Sequence, residues 1–299
     1  MKSAGPLFCL LLFSALALGC EQHEYLGQTP PGDVPKVFAP GVISLPDRKE
    51  EVITFSNDLK EIYYSIEYYP VPKPSFTMYM KYENGQWSKP DTASFSKGRR
   101  TSEPFMAFGG SRIYYFANQV EQQKGVLDLC YSEKSNNGWT EPVSLSAPPN
   151  ALSPYFTLHP CVVADTSIYF SSYSGNVSVS RYNKGAYAEV ETLPAPINHM
   201  NLKEEECWGD PFVSPDESFL IFRSNRAGGY GGSDLYIAFK TDSGDWSKPQ
   251  NLGPKINSEY DELGGDITPD SQYMTFGRNG DIYWVSTSFI KRLKAKMAD

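Results

Sequence analysis

Histidine is scarce in this 299-residue chain, three in all, and cysteine numbers only five. The sequence contains no H-E-x-x-H, no C-x-x-C and no G-x-S-x-G, which excludes the metalloprotease, dithiol and nucleophile-elbow chemistries those spacings serve. Positive charge is also in deficit. Lys and Arg total 27 against 35 Asp and Glu, a formal charge of −8, which argues against nucleic acid or anionic headgroups as partners because both require basic patches. No apolar run is long enough to span a bilayer: the longest, Leu7 to Leu18, has twelve residues where about 20 are needed. The Gly-rich stretch from Ala227 to Ser233 lacks a Walker lysine and reads as a hairpin loop, not a phosphate cradle.

Aromatics and turn formers are abundant: 20 Tyr, 17 Phe, 24 Gly and 23 Pro, a composition that suits many short strands. They are arranged in a repeat. Aromatic strand cores begin at Ile62, Ile113, Ile168, Leu220 and Met274, spaced by 51, 55, 52 and 54 residues. Before each core stands a turn, as in Ser214-Pro215-Asp216 and Thr268-Pro269-Asp270. After it comes a strand that often opens with an acid (Asp128, Asp234, Asp281), then a W-x-x-P segment at Trp87, Trp139 and Trp246, with Tyr187 in the third copy. A period near fifty built only of strands and turns predicts an all-β chain, a single five-bladed β-propeller with four strands per blade. The fifth copy has no W-x-x-P strand. Phe38 to Ile43 is similar to Leu252 to Asn257, so the N-terminal residues are expected to supply the outer strand of the last blade and close the ring. Residues that recur at one offset, the tryptophans and turn aspartates included, read as scaffold.

The N-terminus reads as a targeting segment: Lys2, the twelve-residue apolar run, then Ala17-Leu18-Gly19-Cys20. A small residue before a cysteine at that place resembles the bacterial lipobox, with Ala17 and Leu18 departing from the usual Leu and small residue. The resemblance implies cleavage before Cys20 and its lipidation (diacylglycerol and palmitate). The alternative is an ordinary secretory leader cut nearby. The expected organisation is a signal peptide over 1–19, a polar tether over 20–36, the propeller over 37–288 and a basic, solvated tail over 289–299. Cys130, Cys161 and Cys207 remain, an odd number that makes no disulfide framework; one Cys161–Cys207 bridge and buried free thiols both stay open.

The run from Phe212 to Phe239, with Ser214-Pro215-Asp216, Phe222, Ser224, Arg226, the Gly-rich turn and Asp234-Leu235-Tyr236, resembles the TolB-type, WD-like β-propeller repeats of bacterial envelope proteins. Glu217 stands where that pattern usually has a turn glycine. The likeness is strong over the last two copies only. It implies the fold and an envelope location, while such repeats serve scaffolds, translocation factors, peptidase gating domains and peptidoglycan-linked lipoproteins alike. No hydrolase domain follows Asp299, so a peptidase role is not expected.

Site candidates come from positions that break the repeat. Glu103, His159 and Asp210 each precede a proline at the start of an inner strand, where side chains gather at one mouth of the central channel, and Asp266 lies deeper. Glu204 to Glu206 and Asp261-Glu262 lie close by in sequence. Such carboxylates can serve a basic or hydroxyl-rich ligand, a cation, or glycoside acid/base chemistry, since glycoside-active five-bladed propellers place acids on inner strands. The expected function is a lipid-anchored, monomeric envelope module that binds or scaffolds an envelope protein or glycan, with no catalytic residues, metal or cofactor, and no nucleic acid. The alternative is a glycan-active enzyme using the channel-mouth acids.

Overall fold

The structure, a computed structural model, describes residues 24–69, 74–107, 109–119, 128–136, 138–145, 158–172, 175–198 and 209–296. Five antiparallel sheets follow one another along the chain, and each blade's innermost strand faces that of the next. Naming strands a to d from axis to rim, blade 1 holds Arg48–Phe55, Glu61–Tyr68, Ser75–Glu83 and Asp91–Thr92. Blade 2 holds Arg99–Met106, Arg112–Gln119, Asp128–Ser135 and Val143–Ser144; blade 3 holds Leu158–Val162, Ile168–Ser171, Val177–Ser180 and Glu191–Thr192. Blade 4 is built from Phe212–Val213, Phe219–Ser224, Asp234–Phe239 and Gln250–Asn251. Blade 5 takes strands a to c from Glu262–Ile267, Tyr273–Arg278 and Asp281–Ser286, and strand d from Lys36–Val37 at the other end of the chain. The ring is a five-bladed β-propeller closed by an N-terminal strand, as the sequence predicts.

The repeat is legible at the level of single hydrogen bonds. The five strand-b leaders, Ile62, Ile113, Ile168, Leu220 and Met274, are all fully buried. Each a–b turn is closed by one pattern: Leu59, Gly110, Thr166, Glu217 and Ser271 donate their N–H to the carbonyl three residues back. All five adopt a left-handed φ, between 55° and 74° for the four that are not simply rounded by glycine, with Leu59 at 56°, Thr166 at 74°, Glu217 at 55° and Ser271 at 62°. Glu217 therefore occupies the conformation for which the family pattern reserves glycine. Just past strand d, Ala93, Leu145, Leu193, Leu252 and Phe38 each donate to a strand-c carbonyl and are buried. In blades 3 and 4 the side-chain amides of Asn198 and Asn257 then bond both the N–H and the carbonyl of one strand-c residue, acting as an extra strand partner.

The recurring residues are scaffold. Trp139 crosses from blade 2 to donate its indole N–H to the Tyr63 hydroxyl of blade 1 at 2.8 Å. Asp234 accepts the N–H groups of Tyr230 and Gly231, so the glycine-rich loop folds back onto its own strand.

Both chain ends depart from expectation. Most of the segment expected as a solvated tail over 289–299 lies in helix α1 (Ser288–Ala295), whose Phe289 is buried while Ile290 and Leu293 pack against the main core. Three apolar residues make a one-sided stripe too short to show as periodicity. α1 follows strand c of blade 5, and the Gln250 side-chain amide of blade 4 donates to the Leu293 carbonyl at 3.5 Å. Arg292 and Lys294 favour the helix C-terminus. The described part of the tether also packs: Tyr25 is buried among Phe55, Tyr273 and Trp284. Asp33 accepts from Ser288 and pairs with Arg292, which fastens the N-terminal segment to α1.

Candidate functional site at the channel mouth

The inner strands share one irregularity. In blades 2, 3 and 5 the a–b register slips between Ser102 and Phe105, Leu158 and Cys161, and Leu263 and Asp266. In blade 4 the Arg223 N–H bonds the Gly209 carbonyl across the same kind of bulge. The first bulged residue is Glu103, His159, Asp210 or Gly264, at φ of 52°, 53°, 40° and 65°. Three are followed by proline, which has no N–H to leave unpaired in the bulge. A left-handed residue before proline is disfavoured, and each non-glycine residue held there costs about 1–3 kcal/mol, strain of a kind that gathers at functional sites. Blade 1 carries its bulge at Glu51 and Val52, one residue earlier relative to its turn.

Each strained residue is tied to the preceding blade through its N–H. Glu103 donates to Ser65 Oγ at 2.8 Å and Asp210 to Ser171 Oγ at 2.5 Å, while His159 donates to the Glu103 carboxylate itself. The His159 ring then reaches across the axis, with Nε2 3.4 Å from Asp266 Oδ1 of blade 5. That reach depends on Gly264, where an added Cβ would stand 2.8 Å from His159 Cε1. Asp210 pairs at 2.6 Å with Arg223 of its own blade. Of the four residues expected from the sequence, Glu103, His159 and Asp210 thus converge on one mouth, and Asp266, expected deeper, is reached there by the His159 ring. Glu51, Arg223 and the two serines join them without a sequence signal, for they neither precede proline nor interrupt the repeat.

Asp261 and Glu262 do not join the mouth cluster. Glu262 is fully buried in ion-paired contact with Arg278 and bonded to Ser258, and Asp261 accepts from Ser233. Glu262 braces blade 5 internally, and Asp261 ties it to the loop before strand c of blade 4. Glu204 to Glu206, Cys20 and Cys207 lie outside the described residues. Cys161 is a buried free thiol whose sulfur accepts the Val213 N–H at 3.2 Å.

The electrostatics follow from enclosure. Burial pushes the Glu103 carboxyl up, with Asp210 and Glu51 adding and His159 opposing, to about 7. Burial alone would drive the His159 proton off, but Asp266, Asp210 and Glu103 outweigh it and raise the imidazole to about 9. His159 is therefore an imidazolium at neutral pH, clamped among carboxylates. Glu51 is raised as well, by burial first and then by Glu67 and Asp210, against Lys49 and Arg223. Among the described residues, no group of three or more His, Cys, Asp and Glu side chains is placed to hold a metal ion.

The channel narrows below the mouth. Between Thr54, Met106, Phe212 and Asp266 only about 20 Å³ is open, enough for about one water. At the mouth, between blades 1 and 2, a cavity of 220 Å³ opens onto Glu51 and Glu103.

No known family's sequence pattern matches the chain, and no curated protein matches it. Solved structures do. One is a protein assigned as TolB from Agrobacterium tumefaciens, at 13% identity and TM-score 0.47, over 77% of this chain and 69% of that one. A gluconolactonase from Xanthomonas campestris has 11% identity and TM-score 0.45, over 86% and 97%. A prolyl endopeptidase has 10% identity and TM-score 0.43, with 80% of this chain covering 34% of that one. These likenesses set the chain beside proteins of propeller-like architecture with unlike activities, and they bear on the fold alone.

Proposed function

We propose that this protein is a lipid-anchored binding module of the cell envelope, held to a membrane through Cys20 and presenting its channel mouth to an envelope protein or glycan. The observation that carries the reading is the mouth itself. Four blades each send a strained, polar residue or its glycine counterpart to one ring, and the side chains are fixed by contacts within that ring before any ligand arrives. Preorganisation of this kind spends strain and burial on a surface the fold does not otherwise need. The carboxylates outnumber His159 and Arg223, so the mouth favours ligands rich in N–H and O–H donors. The leader and Cys20 support the anchor. No helix among the described residues is long and apolar enough to cross a membrane.

The test has two arms. In cells, Cys20→Ala should move the protein from the membrane to the soluble fraction; unchanged fractionation refutes the anchor. In vitro, envelope proteins and glycans retained by the wild type should be lost with Asp210→Asn, which uncouples Arg223 from the mouth; retention unaffected by the substitution places binding elsewhere.

One observation favours a second reading, glycan hydrolysis. Glu103, raised to about 7, has the profile of a general acid, and Asp210 and Glu51 are close enough to act on it electrostatically. Turnover of glycans that disappears with Glu103→Gln would establish this activity; turnover that is absent or insensitive to the change excludes it.

A further inference from the structure

The 220 Å³ cavity at the mouth lies in the seam between blades 1 and 2 and has an unusual lining. Its acceptors are the carboxyls of Glu51, Glu67 and Glu103. Two of its groups only donate, the Lys49 ammonium, which stands 3.9 Å from Glu51 Oε1, and the Arg100 guanidinium. Hydroxyls, which both donate and accept, come from Ser65, Ser75 and Ser102. An anion seated there would meet three carboxyls, and a simple cation would meet Lys49 and Arg100. A group whose own atoms donate and accept in turn is matched on every side, and that describes a ring of vicinal hydroxyls.

Size narrows the class further. Drug-sized ligand sites run to about 300–1,000 Å³, so 220 Å³ accommodates one ring and not a chain of them.

We propose that the blade 1–blade 2 cavity takes a single monosaccharide-sized, hydroxyl-rich ring, with Glu51 and Glu103 accepting from its hydroxyls and Lys49 and Arg100 donating to its oxygens. The proposal rests on the mouth being the binding surface and specifies what enters it. The seam position also fixes the geometry of a larger glycan: one residue is enclosed, and the rest extends outward over blades 1 and 2.

The test is a titration of the full chain with D-glucose, D-galactose and N-acetyl-D-glucosamine, followed by saturation-transfer and backbone NMR, with L-lysine and inorganic phosphate as cation and anion probes. At least one sugar should bind, with shifts confined to residues 49–51, 65–67 and 100–103. Arg100→Ala and Glu67→Gln, both outside the strained bulges, should each weaken it about tenfold, the effect of losing one hydrogen bond to a charged group. Sugar binding that is absent, or unchanged in both variants, overturns the proposal. If lysine or phosphate shifts these residues and no sugar does, the sugar assignment falls while the mouth remains a binding surface. Shifts from sugars that map away from the mouth overturn both.

Discussion

Phe38→Ala tests ring closure where the chain makes it. Phe38 is fully buried, packs edge to face against Trp284 of blade 5 at 5.3 Å and Phe55 of blade 1 at 5.8 Å, and donates its N–H to the Ile282 carbonyl at 2.7 Å. Removing a buried phenylalanine side chain costs about 3–5 kcal/mol in transfer and cavity terms. With about 2–4 °C of Tm per kcal/mol for domains of 150–250 residues, the melting temperature should fall by about 6–20 °C. Two controls frame the result. Leu252→Ala removes the residue at the same place in blade 4, where strands c and d are continuous in sequence, and should cost about 2–5 kcal/mol. Val34→Ala changes a residue 63% exposed and should stay within about 0.5 kcal/mol. Thermal and urea unfolding of the three variants decide the matter. If Phe38→Ala behaves like Val34→Ala, the N-terminal strand is not part of the ring and the closure argument is wrong.

Gly264→Ala should cost more than the usual glycine-to-alanine change, because φ is +65° and the new Cβ would stand 2.8 Å from His159 Cε1; NMR of the His159 ring should show it displaced from Asp266, and an unmoved ring refutes the close approach. Stability should fall with rising pH. Glu103, raised from 4.5 to about 7, contributes stability that is present below 4.5 and lost towards 7; His159, raised from 6.5 to about 9, contributes stability that is present below 6.5 and lost towards 9. Melting curves from about pH 5 to 9 should therefore slope downward, and His159→Gln should flatten the upper part; a flat wild-type profile contradicts the paired mouth. Cys161 should resist alkylation in the native protein and react only on unfolding, since burial raises its thiol and the Val213 N–H occupies its sulfur; rapid native labelling would count against that burial.

The fold was legible because the repeat writes the same physics five times. Spaced aromatic cores gave the strands, the Asp-bearing turns their ends, and the likeness of Phe38–Ile43 to Leu252–Asn257 the closing strand. What stayed hidden is local or non-repeating. Helix α1 rests on Phe289, Ile290 and Leu293, too few for a period, and Tyr25 looked like a tether residue until its pocket among Tyr273 and Trp284 was formed. At the mouth, Glu103, His159 and Asp210 were visible because a proline follows each. Glu51 was not, since blade 1 shifts its bulge by one residue, and Arg223 was not, since its charge matters only once strand b of blade 4 lies against Asp210. Asp261 and Glu262 were misleading for the opposite reason: sequence proximity to an inner strand does not reveal that Arg278 and Ser258 already claim Glu262.

The central claim is that ligands meet this propeller at the mouth ringed by Glu51, Glu103, His159 and Asp210. Hydrogen exchange of the full chain, read by mass spectrometry with and without an envelope fraction containing proteins and glycans, tests it most directly. The account predicts added protection in peptides spanning 48–55, 99–106, 158–162 and 209–213, and none in the a–b turns on the opposite face around Asp58, Asp165 and Asp270. Protection confined to those turns or to the outer strands would contradict it.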